Sequence, residues 1–148
     1  MKLSIFITNI IIDLFHKYQE NKNKKKTIKE IYRLKHYLKN KDSLKIHFGC
    51  GPRILKDWIN IDLNYMDHKY YFKNCKDKYY PPEIKGNKDD FFAINITKTK
   101  FPLKDNSVDL IFHEDFIEHL NQKEQVIFLA ETYRILKKDL YIESIRQI

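Results

Sequence analysis

Glycine is the scarcest informative residue in this chain. There are three in 148 residues, where average usage gives roughly ten, so collagen-like and glycine-linker architectures are excluded and the position of each glycine carries weight. Cysteine is equally sparse. Cys50 and Cys75 cannot staple a fold, and their low number fits a reducing, cytoplasmic compartment. No apolar run reaches the about 20 residues of a membrane span. The stretch Leu3–Ile12 follows Lys2 in the manner of a signal peptide, but Asp13 and His16 end it and no small-residue cleavage site follows. Arginine is nearly absent, 4 against 24 lysines.

What the chain does have is apolar material: 43% hydrophobic residues with ten Phe and ten Tyr, enough for one globular core and unlike a disordered composition. Abundant Lys, Asn, Ile, Tyr and Phe with little Gly, Ala, Pro and Arg is the composition of A/T-rich coding DNA, so the lysine excess alone argues only weakly for a nucleic-acid partner. Its distribution says more. Residues 1–45 hold twelve basic and four acidic residues, while residues 46–148 hold sixteen of each. The net charge of +8 therefore belongs to the first third.

That third is expected to be helical. Leu3, Phe6, Ile7, Ile10, Ile11, Leu14, Phe15 and Tyr18 recur at helical spacing and predict one amphipathic face that needs a partner. Residues 20–26 read as a charged linker. Thr27 and Glu30 form a capping-box pattern that starts a second helix bearing Ile28, Ile31, Leu34 and Leu38. The expected organisation is a basic helical extension over 1–43, its two helices docked on a following domain over 44–148. A membrane-surface helix and a basic arm on RNA are the other uses such a segment has.

In the second part, the alternating stretch Leu44–Phe48 runs into Gly49-Cys50-Gly51, two of the three glycines in one tripeptide. Glycine is required where backbone takes φ > 0 or approaches a ligand closely, and a turn at the carboxyl end of a strand is where an α/β sheet offers N–H groups to a cofactor. Trp58–Asp62 is a second apolar strand ending in a carboxylate suited to accept hydrogen bonds from ribose hydroxyls. Phe91–Ile96 and Val108–Phe112 are a third and fourth. The alternation predicts an α/β fold, a Rossmann-like parallel sheet with its chemistry at the strands' carboxyl ends. A nicotinamide-binding G-x-G-x-x-G is a poorer fit: Ile54 stands at the third glycine and the acidic residue arrives too early. Asn121-Gln-Lys-Glu124 predicts a capping box, with Val126, Leu129, Ala130, Tyr133 and Leu136 as the sheet-facing side of the next helix. The tyrosine-rich stretch 65–80 reads as an irregular insertion.

Residues 45–62, through Gly49-Cys50-Gly51 and Asp62, resemble the first two motifs of class I S-adenosylmethionine-dependent methyltransferases. Phe101-Pro-Leu-Lys-Asp-Asn-Ser-Val-Asp-Leu-Ile-Phe112, Phe116-Ile-Glu-His-Leu120 and Glu131-Thr-Tyr-Arg-Ile-Leu-Lys137 resemble later segments of that family, in its order. The resemblance implies that Gly49, Cys50 and Gly51 underlie the methionine and ribose parts of S-adenosylmethionine, that Asp62 takes the ribose hydroxyls with Leu63 beside it, and that Asn95, with Ile96, meets the adenine in place of the family's usual Asp. Glu114 borders the cofactor by position. Asp115, Glu118 and His119, if on one helical turn, form a trio suited to a general base or a divalent cation. The trio is similar to the Glu-x-x-Glu-His motif of metal-using O-methyltransferases, although capping and packing are the commoner uses of Glu-His there.

The implied activity is methyl transfer to an acceptor the sequence does not identify. The family's seven-stranded sheet needs more chain than is here, which has room for four strands and Leu140–Ile145 as a fifth, and the family's "L-K-P-G-G" turn is absent after Leu136-Lys137. The domain is therefore expected to be C-terminally truncated, with self-association through an uncovered sheet edge. A degenerate domain that binds the cofactor without catalysis, and a basic nucleic-acid or membrane-surface binding protein, stand as alternative functions.

Overall fold

Short runs in which half the residues are Ile or Phe become the strands of a parallel sheet, which is covered on both faces. In a computed structural model of the chain, which describes residues 2–71, 80–138 and 142–145, these runs form β1 (Lys45–Phe48), β2 (Ile59–Asp62), β3 (Phe91–Ala93), β4 (Leu110–Glu114) and β5 (Ile142–Ile145). All pairings are parallel, in the order β3-β2-β1-β4-β5. The α/β, Rossmann-like expectation holds. The chain leaves β1 outward to β2 and β3, then returns across β1 to β4 and β5, so the direction reverses between β1 and β4. At such a switch point the carboxyl ends of the strands open a crevice.

Register sets the two faces. Ile46 pairs with Ile59 and Ile111, and Phe48 with Ile61 and His113, so these side chains share the face that carries the main core. Two helices cover it, α1 (Lys2–Tyr37) and α3 (Gln122–Ile135). Both stretches expected to be helical are so, but they form one continuous element. Residues 20–26 are helix rather than linker, because the lysine run contains no Gly or Pro and lysine is a good helix former. Thr27 is consequently interior, and Glu30 turns to Arg33 at 2.8 Å instead of closing a cap.

The later half of α1 docks on the edge strand β3. Leu34 is fully buried. Arg33 donates to the carbonyls of Lys88 (3.1 Å) and Phe91 and lies 4.6 Å over the Phe92 ring, while Tyr37 donates to Asp90 at 2.8 Å. An otherwise open sheet edge is covered in this way. Residues 11–18 do not dock: Ile11, Leu14, Phe15 and Tyr18 are 58–63% exposed, contrary to the expected packing of both helices.

Helix α3 opens with the expected capping box. Asn121 Oδ1 accepts from Glu124 N at 3.0 Å, and the Glu124 carboxylate accepts from Asn121 N at 3.1 Å. Its buried stripe is Phe128, Thr132 and Ile135, not the expected Val126, Leu129, Ala130 and Tyr133. Of these Tyr133 is 83% exposed; Leu136, just past the helix, is buried. Phe128 decides the orientation by seating edge-on against Phe48 and Phe116, with ring centroids 5.2 and 5.1 Å away. Thr132 tolerates burial because its hydroxyl donates to the Leu129 carbonyl. On the same helix Arg134 bonds the carbonyls of Phe101 and Leu103 and the carboxylates of Asp105 and Glu131. Glu131 accepts from Phe101 N. This pair shapes the loop that delivers β4.

Between β2 and β3 lie the short helix α2 (His68–Tyr71) and two 3-10 turns, Pro82–Ile84 and Lys88–Asp90; most of the irregular insertion expected over 65–80, residues 72–79, lies outside the described residues. Its Tyr80 is buried and donates to the Ile54 carbonyl. Cys75 lies outside the described residues.

On the opposite face of β1, His47 is 1% exposed, and among the described residues neither ring nitrogen has a hydrogen-bond partner. Its neighbour on β2, Asn60, is committed to Leu55, Trp58 and Asp90. Burial, with the nearby charge of Arg53, lowers its pKa to about 4. The unfolded chain then binds the extra proton at higher pH than the folded one, so stability rises with pH between these values and falls as pH drops from about 6.5 toward 4, by ~3 kcal/mol. Urea unfolding across this range should show that loss. In His47→Leu the corresponding part of the pH dependence should vanish; an unchanged slope would remove His47 as its source.

Candidate active site

The loop after β1 is built on two left-handed glycines. Gly49 (φ 64°) and Gly51 (φ 51°) occupy backbone that costs an L-residue roughly 1–2 kcal/mol, and they turn the loop back onto β2. Gly49 N donates to the Ile61 carbonyl at 2.9 Å. Gly51 N donates to Asp62 Oδ2 at 2.9 Å, and Leu63 N to Asp62 Oδ1 at 2.6 Å. One carboxylate thereby pins the loop to the end of the neighbouring strand. The glycines differ in surroundings. A Cβ on Gly49 would sit 2.7 Å from Phe116 Cβ and Cγ, whereas one on Gly51 meets nothing within 4 Å.

That open side faces a cavity of about 450 Å³ at the carboxyl ends of β1–β4, within the range of small-molecule sites. Of the residues singled out in the sequence, Gly49, Gly51, Asp62, Leu63, Asn95, Ile96, Asp115 and His119 line it. Cys50, Glu114 and Glu118 do not. The Cys50 side chain is buried away from it with Ile54, Phe91 and Ala93, where burial and the Asp62 charge push its thiol pKa up. Glu114 pairs with Arg53 at 2.9 Å. Glu118 is turned away because residues 115–119 are not one helical turn: Asp115 is left-handed (φ 44°), and the 3-10 turn begins only at Ile117. Among the described residues no three His, Cys, Asp or Glu side chains are placed to share a metal ion.

Asn95 also behaves differently from expectation. Its Oδ1 accepts from Thr97 N (3.0 Å) and Thr97 Oγ1 (2.8 Å), which occupies the acceptor that would stand in for an Asp carboxylate and leaves the amide as a donor.

Several wall residues escaped the sequence reading: Phe48, Met66, Thr97, Phe116 and Glu124. Phe116 had a readable signal, an aromatic next to the turn after β4 in a chain whose Gly49 must face something. Glu124 was recognised as a cap only, and it reaches the cavity from that position.

Taken together the lining is acidic. Asp62, Asp115 and Glu124 contribute carboxylates, and no lysine or arginine lines the cavity of a chain with net charge +8.

The profile of a family described as a methyltransferase domain matches residues 46–142, from β1 to the first residue of β5. A crystal structure from Methanococcus maripaludis, described as a candidate S-adenosyl-L-methionine-dependent methyltransferase, aligns over 86% of this chain and 61% of its own, at 20% identity and a TM-score of 0.40. The chain thus spans less than two thirds of that protein's length. No curated protein matches.

The unequal surroundings of the two glycines separate strain from collision. Gly51→Ala should cost about 1–2 kcal/mol in denaturant unfolding, the strain alone. Gly49→Ala should cost more than about 3 kcal/mol because Phe116 must also move, and part of that excess should return in a Phe116→Ala background. Equal losses at the two positions would contradict this packing.

Proposed function

Because the chain belongs to the methyltransferase-domain family, the class I S-adenosylmethionine-dependent methyltransferases, we propose that its cleft binds S-adenosylmethionine and that the protein transfers the methyl group to a nucleophilic acceptor. The observation that carries this reading is the charge of the cleft: three carboxylates and no basic residue except His119 line it within a strongly basic chain. A sulfonium and an ammonium are cations, and an acidic lining favours them. The cavity also meets the requirement of close approach, since the side of Gly51 where a side chain would stand is open.

When bound, S-adenosylmethionine supplies an electrophilic methyl group on a sulfonium, transferred by in-line displacement. The chain's own residues do the rest by positioning. Asp62 is already oriented by the amides of Gly51 and Leu63 and retains acceptor capacity for the two ribose hydroxyls. Asn95, its carbonyl held by Thr97, donates from its amide to an adenine ring nitrogen. Phe116 and Phe48 form an apolar wall against the cofactor and exclude water. Asp115 and His119, both on the lining, are the groups that take the proton released by a hydroxyl or amine acceptor. The acceptor itself is not specified by any of these groups.

Calorimetric titration with S-adenosylmethionine tests the assignment. Saturable binding is expected, weakened at least about tenfold, or ~1.4 kcal/mol, by Asp62→Ala and abolished by Gly51→Trp. Thermal melts should first establish that both variants are folded. Absence of binding at millimolar ligand would end the cofactor reading, and parent-like affinity in both folded variants would end the site assignment.

A further inference from the structure

From Ile11 to Tyr32 one face of α1 points away from the sheet, and it changes character halfway. At about 100° per residue, Ile11, Leu14, Phe15 and Tyr18 fall in one stripe, and they are 58–63% exposed. Continuing along that stripe are Lys22, Lys25 and Lys29, all exposed, and then Tyr32, 69% exposed. The buried docking residue Leu34 stands about 155° round the helix from the centre of that stripe, and Tyr37 about 95°. The apolar and the basic patches are therefore on one line, and the domain occupies neither.

We propose that this face of α1 docks on an anionic lipid bilayer, the apolar stripe entering the headgroup–acyl boundary and the lysines resting on acidic headgroups. Three observations select a membrane surface over other occupants. Apolar side chains this exposed gain by burial in a low-polarity medium, which a nucleic-acid backbone does not provide. The twelve basic and four acidic residues of positions 1–45 complement an anionic plane, where each lysine near the surface contributes about 1 kcal/mol, and oppose close pairing with a second copy of the same helix. Among the described residues no helix is long and apolar enough to cross a membrane, so the geometry is that of a helix lying in the interface, parallel to the surface. The inference rests on α1 alone and holds whether or not the cleft binds S-adenosylmethionine.

The test is co-sedimentation of the full chain with phosphatidylcholine vesicles, with and without about one-third phosphatidylglycerol, at low and high salt. Binding is expected to the anionic vesicles, weakened by salt. Phe15→Glu should reduce it on the order of a hundredfold, and Lys22→Gln and Lys25→Gln by about fivefold each. These positions are exposed, so unchanged melting temperatures should accompany the losses. Equal binding to neutral and anionic vesicles, or Phe15→Glu binding like the parent, would overturn the proposal. So would a dimer in sedimentation equilibrium that Phe15→Glu dissociates, or RNA binding that survives Phe15→Glu while vesicles are not bound.

Discussion

A carboxylate that receives two backbone amides organises the centre of this molecule. Asp62 ends β2 and holds both Gly51 N and Leu63 N, so the turn after β1 and the exit from β2 cannot move independently. The left-handed glycines need this constraint, since a loop with such freedom in the unfolded chain is expensive to order. Phe116 completes it from the other side by filling the space over Gly49, and Phe128 of α3 holds Phe116 in place. The cleft is thus braced from β1, β2, the turn after β4 and α3.

Charge is partitioned with equal economy. The excess of basic over acidic residues is confined to residues 1–45, while carboxylates and no lysine or arginine line the cleft, so the basic and the acidic surfaces belong to different parts of the protein. Where cations do approach the sheet they are held in specific pairs. Arg53 meets Glu114 and Arg134 meets Glu131 and Asp105, and Arg134 serves as much to bind loop carbonyls as to balance charge.

The strands were legible because a parallel sheet demands apolar runs and this sequence has few others, and the glycine pair was legible because glycine is so rare. Helix orientation was not. Two stripes of α3 are apolar enough to face inward, and periodicity cannot choose between Val126-Leu129-Tyr133 and Phe128-Thr132-Ile135; the partner rings Phe48 and Phe116 choose. The continuity of α1 was hidden by a charge run that resembles a linker but contains no residue that breaks a helix. In the cleft, Gly51, Asp62 and Asn95 stand at the wall with Asp115 and His119, whereas Glu118 does not, because a left-handed Asp115 takes residues 115–119 out of one helical turn. Cys50 was credited with the role of its neighbours, although alternation through the turn sends its side chain into the core.

Helix α1 is a rod about 54 Å long on a sheet only about 19 Å across its five strands, and it is held at one end. Among its fastenings is Lys26, whose ammonium donates to the Leu63 carbonyl at 3.1 Å, one residue from the Asp62 carboxylate. Mechanically this is a lever clamped near its fulcrum. Arg33 and Tyr37 fasten its inner arm to Phe91 and Asp90, and Lys26 fastens it to Leu63 of the cleft wall, so the outer arm leaves the domain from beside the cleft.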